Sequence, residues 1–137
     1  MNDVSTSSSP REIDTGGAVE LSFPAQGRHA AAARSVAAAL AAEAGFDVDE
    51  IDDLRLAVDE AVSVMIDRAG PDARLTVWFH GADREISARV ACQPPVADFS
   101  ASDLDELAVR ILTAVTDGFE VADGALTVTR CSTRDGT

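Results

Sequence analysis

Two alternating runs separated by a short loop constrain this chain more than any other feature. RLTVWFH places Leu75, Val77 and Phe79 on one side, and EISARVAC does the same with Ile86, Ala88, Val90 and Cys92. A period of two belongs to a strand with one buried face and one open face. The connection GADRE is short and contains glycine, so the two runs form an antiparallel hairpin. Any fold for this chain must contain a sheet with one face in need of cover.

The rest of the chain supplies more strands and the cover. AVELSF alternates Val19, Leu21 and Phe23, while FEVA and ALTVTRC are joined by a turn at Asp123 and Gly124. PAQGRHAAAARSVAAALAAEAG is a helix opened by Pro24 and stopped by Gly45. IDDLRLAVDEAVSVMIDRAG is a second, with Asp47 or Asp49 as its cap and Ile51, Leu54, Val58, Ala61 and Met65 as its apolar stripe. Asp103 with Glu106 resembles a capping box for a third, whose apolar face is Leu104, Leu107, Ile111 and Val115. The order strand, helix, helix, strand, strand, helix, strand, strand specifies a two-layer α/β sandwich, with three helices over one face of the sheet.

At 137 residues the chain is one domain, expected over 18–131, with polar, turn-rich tails at 1–17 and 132–137 expected to be disordered. The net charge of -13 argues against nucleic acid, which needs clustered cations, and suits a basic protein partner. All the cationic side chains are arginine and alanine is abundant, a bias of composition with no chemistry in it. No apolar run approaches the roughly 18 residues that span a bilayer and no signal pattern opens the chain, so the expectation is a cytoplasmic protein without a membrane role. Cys92 and Cys131 have neither CxxC spacing nor a histidine companion, and are read as buried or half-buried free thiols.

Glu60 lies off the apolar stripe of its helix, with Ala57 and Val64 on its own side. A carboxylate there is either solvated surface or a general base at a pocket. Arg34 presents a similar choice: Val36 and Leu40 are expected to mark the buried side of the first helix, and Arg34 lies about 200° from it. Ala30, Ala31, Ala37, Ala38 and Ala41 would then form a nearly flat surface around one guanidinium, with Arg28 and His29 near the same end. Trp78 points opposite Val77 and Phe79, toward the open sheet face, where it marks an interface or packs under the tail.

The segment DDLRLAVDEAV, residues 52–62, with FPA at Phe23 to Ala25 followed by Arg34, resembles the bacterial anti-sigma factors that are also serine kinases, the RsbW/SpoIIAB type. The likeness runs from about Val19 to Arg130, and the degenerate mycobacterial member UsfX is similar in this helix. What the resemblance implies is a Bergerat-type ATPase fold shared with gyrase, histidine kinases and MutL, with one mixed, mostly antiparallel sheet. It also implies an alternative sigma factor and a STAS-type anti-anti-sigma factor as partners, and a homodimer. In active members the equivalent of Glu60 is the base that deprotonates a serine of the antagonist, an Asn one turn later holds Mg-ATP, and an Arg matching Arg34 contacts both partners.

This sequence departs from the pattern where nucleotide would bind. Val64 stands at the Asn position, and valine offers no oxygen to a cation. Cys92 stands at the family's adenine-reading Asp, and Pro94 and Val96 of CQPPV fall where its glycines belong. Glu106 and Ala108 of DELAVRIL replace the glycines of the later motif, putting an acid where backbone N–H groups should meet phosphate. The expectation is a sigma-sequestering protein with no cofactor, no metal and a vestigial Glu60, held through Arg34, Ala30, Ala31 and Arg28. The alternatives are a working ATP-dependent serine kinase and a pseudo-ATPase scaffold without a sigma partner.

Overall fold

The computed structural model describes residues 18–133. The expected tail at 1–17 and residues 134–137 lie outside that range. The elements are β1 (Ala18–Pro24), α1 (Ala30–Glu43), α2 (Val48–Arg68), β2 (Arg74–Ala82), β3 (Glu85–Gln93), α3 (Glu106–Val115), β4 (Gly118–Ala122) and β5 (Ala125–Cys131), with single 3-10 turns at Gly27–His29 and Ala101–Asp103.

The sheet runs β1-β2-β3-β5-β4. Alternation fixes its two faces: Leu75, Val77, Phe79, Ile86, Ala88, Val90, Leu126 and Val128 are all buried on the side of the helices. Each pairing is antiparallel, so the mixed sheet that the resemblance implied is corrected to an antiparallel one. The reason lies in the last hairpin. After α3 the chain crosses to the far edge as β4, and the turn at Asp123 and Gly124 folds β5 back between β4 and β3, separating the two strands that share a direction. On the open face Trp78 lies opposite Arg89, whose guanidinium stacks 5.0 Å from its ring.

The helices differ from expectation in detail. On α1 the fully buried stripe is Ala33, Ala37 and Ala41, with Ala30 nearly so, whereas Val36 and Leu40 are only partly buried. The flat alanine surface expected around Arg34 is therefore largely an inward one. Alanines let α1 approach α2, where Ala57 and Ala61 are also fully buried. α1 ends as expected at Gly45, whose φ of +85° allows Gly45 N–H to reach Ala42 O and Phe46 N–H to reach Ala41 O.

α3 begins two residues later than the expected box. Asp105 is its cap, accepting from Ala108 N–H at 2.8 Å, while Asp103 completes a box with Ser100 on the preceding turn. Leu107, expected on the apolar face, is 65% exposed, and Leu112 and Ala108 fill the core instead. Two residues expected in the C-terminal tail are tied down: Ser132 and Thr133 donate to the buried carboxylate of Glu50. Cys92 is buried and Cys131 half-buried, both free. They end opposite halves of the sheet, since Cys131 pairs with Glu85 and Cys92 lies seven residues further along β3, about 24 Å away.

Candidate functional site

α2 positions the site because its start is fixed. Asp47 accepts from Glu50 N–H at 2.8 Å and Glu50 accepts from Asp47 N–H at 2.9 Å, a complete capping box. From there the helix carries Asp59, Glu60, Val64, Asp67 and Arg68 past the loop that follows β3. Val64, Asp67, Arg68, Asp103, Leu104 and Asp105 line a cleft of about 290 Å³ between α2 and the start of α3. Arg68 holds the loop to the helix. It donates to Asp103 O at 2.6 Å, and its guanidinium sits 4.7 Å from the centre of the Phe99 ring.

Three aspartates, Asp67, Asp103 and Asp105, line this cleft against one cation, Arg68. Burial raises the Glu60 carboxyl above its ordinary range, and the charges of Asp105, Asp59 and Asp67 raise it further. The N-terminus of α3, which would ordinarily favour an anion, is capped by Asp105 and followed by exposed Glu106. Among the described residues no group of histidine, cysteine, aspartate or glutamate side chains is arranged to hold a metal ion.

Cys92 lies on the core side of the helix. Its thiol is 3% exposed and donates to Met65 O at 3.4 Å, and burial pushes its pKa up, so it stays a neutral donor. Ala108 is packed in the core. Pro94 is exposed in the loop and is not among the residues that line the cleft. Val64 thus lines the cleft and Glu60 lies within reach of the Asp67 and Asp105 charges, Glu106 is exposed away from it beside Arg110, and Cys92 and Ala108 belong to the packing beneath.

Arg34 is partly exposed and in an ion pair: its guanidinium meets Asp59 at 2.6 Å, linking α1 to α2. Arg28 and Ala31 are exposed and Ala30 is buried. The sequence reading missed Asp59, Asp67, Arg68 and Asp105. Asp105 had a local signal, an Asp three residues before the N–H it caps; the partners of Arg34 and Arg68 lie 25 and 35 residues away and had none.

A five-stranded antiparallel sheet with three helices on one face, and a long acidic helix beside a cleft, define an ATPase-type α+β sandwich. Residues 23–129 match the model of the histidine kinase-like ATPase domain, and the chain belongs to that family. Comparison with curated proteins gives no match.

Proposed function

We propose that this protein is an anti-sigma factor that binds its sigma factor without nucleotide and is released by competition from a STAS-type antagonist. The observation that carries the reading is the burial of Cys92 with its thiol on Met65 O. At the position where the family reads adenine with a carboxylate, this chain has a neutral thiol spent on its own backbone, so a purine amino group meets no acceptor.

The other residues fit a nucleotide no better. Val64 gives Mg²⁺ no ligand, and the carboxylates of Asp67, Asp103 and Asp105 outnumber the one cation, Arg68, along the cleft. The fold remains as a platform, with Arg34 on the partly exposed edge between α1 and α2. Arginine suits that role, because it can exchange the single contact to the Asp59 carboxylate for a bidentate pair with a carboxylate from a partner. A serine kinase is the second reading, favoured by one observation: the raised pKa of Glu60 is what a general base at a cleft requires.

Purification of the tagged protein from its native lysate, followed by mass spectrometry, tests the leading reading. A sigma factor should be recovered in comparable amount with and without added Mg-ATP. Recovery of other proteins and no sigma factor would count against it.

A further inference from the structure

The last hairpin leaves one edge of the sheet uncovered. β4 ends the sheet order and pairs with β5 alone. In the turn between them Asp123 and Gly124 both lie in the left-handed region, at φ 54° and 75°, and Ala122 pairs directly with Ala125. A two-residue turn of that kind makes Ala122 and Ala125 a hydrogen-bonded pair, and antiparallel alternation repeats this at Glu120 and Thr127. Phe119 and Val121 fall between these pairs, so their N–H and C=O groups point outward from the sheet. Among the described residues none bonds to these groups.

The two faces beside this edge differ in chemistry. On the helix side Phe119 and Val121 are half-buried against the core. On the open side a groove of about 410 Å³ runs over Gly118, Glu120, Thr127, Thr129, Ser87 and Glu85. Carboxylates and hydroxyls line it, and no cationic side chain does among the described residues. Gly118 has open space where a side chain would stand.

We propose that the free edge of β4 takes an extended peptide segment of alternating basic and apolar residues, added as a further strand. Bonding to the N–H and C=O of Phe119 and Val121 fixes its register. Successive side chains of the added strand then point to opposite faces. Those opposite Phe119 and Val121 are apolar and extend the covered side of the sheet. The one opposite Glu120 is basic and lies over Gly118, with the groove's carboxylates and hydroxyls as acceptors. The net charge of -13 favours the same partner. A second copy of this chain fits worse, because pairing two β4 strands antiparallel through Phe119 and Val121 sets Glu120 against Glu120.

Amide-detected NMR titration of the full chain with an acetylated, amidated hexapeptide of alternating lysine and valine tests this. The peptide should give saturable shifts centred on residues 118–122 and 125–129, with slowed exchange of the Phe119 and Val121 amides. The same peptide built with N-methylvaline, which cannot donate to the edge, and the peptide with glutamate for lysine should each bind at least about tenfold more weakly. Val121→Pro removes an outward N–H and no ladder bond, so it should keep the fold and weaken binding by a similar factor. Absence of saturable shifts up to about 5 mM peptide, or equal binding of the N-methylated form, would overturn the proposal. So would shifts at residues 118–122 that grow with protein concentration alone, which assign the edge to a second copy. The peptide series on the unaltered chain decides even if Val121→Pro fails to fold.

Discussion

Glu50 ties residues 132 and 133, after β5, to the start of α2. Burial alone would raise its pKa, but N–H donors from Asp47 and Thr133 and hydroxyls from Ser132 and Thr133 prevail and hold it at about 2. An acid with its pKa lowered by folding adds stability that is complete above the ordinary value near 4.5 and is lost as pH falls toward 2. Glu50→Gln keeps the shape and removes the charge; it should cost about 2 to 3 kcal/mol at pH 7 and flatten the acid limb of stability between those values, as read by urea melts. An unchanged acid limb would show that other carboxylates govern it. Nothing local in the sequence marks Glu50 for this part. The sequence offered Asp47 or Asp49 as the cap, but Ser132 and Thr133 are 82 and 83 residues from Glu50.

Elements were legible in proportion to how much of their pattern is local. Strand alternation in β2 and β3 gives each side chain a face, and every apolar residue assigned to the buried side by alternation, from Leu75 to Cys92, is buried. α1 was harder to read, because a run of alanines has no contrast around the helix. Its inner side follows from contact with α2, which only the folded chain defines. Ala37 is fully buried there, so Ala37→Leu should force the two helices apart and cost about 1 to 3 kcal/mol. Ala39→Leu, on the exposed side of the same helix, should change stability by less than about 0.5 kcal/mol. Thermal melts of the two variants check the assignment, and equal losses would contradict it. For α3, Asp105 competes with Asp103 as a cap, and the winner sets which leucine faces the core; hence Leu112 is buried and Leu107 is not.

The whole molecule keeps the sandwich of its family, with three aspartates and Arg68 along the cleft beside α2. The family itself was legible in residues 52–62, since a sheet-covering helix with that acid spacing is a local signature. The Arg34–Asp59 pair was not, although it links α1 to α2 at the surface proposed for a partner. Arg34→Glu should weaken sigma binding by about 1 to 4 kcal/mol. Loss of a partly exposed ion pair should cost folding no more than about 1 kcal/mol, so the two effects separate. Sigma affinity measured by calorimetry on a variant shown to be folded decides this, and unchanged affinity would remove Arg34 from the interface.

The proposed function requires that the cleft beside α2 no longer serve nucleotide. Val64 brings no metal ligand, Cys92 is spent on Met65 O, and Asp67 and Asp105 repel phosphate. On the proposed function, several hydrogen bonds of roughly 0.5 to 1.5 kcal/mol each and a metal ligand are missing, so the expected outcome is no binding of Mg-ATP in the micromolar range. Isothermal titration of the purified protein with Mg-ATP is the direct measurement. The account predicts heats of dilution alone, in the unaltered chain and in Val64→Asn alike; a saturable isotherm with micromolar affinity in the unaltered chain would contradict it.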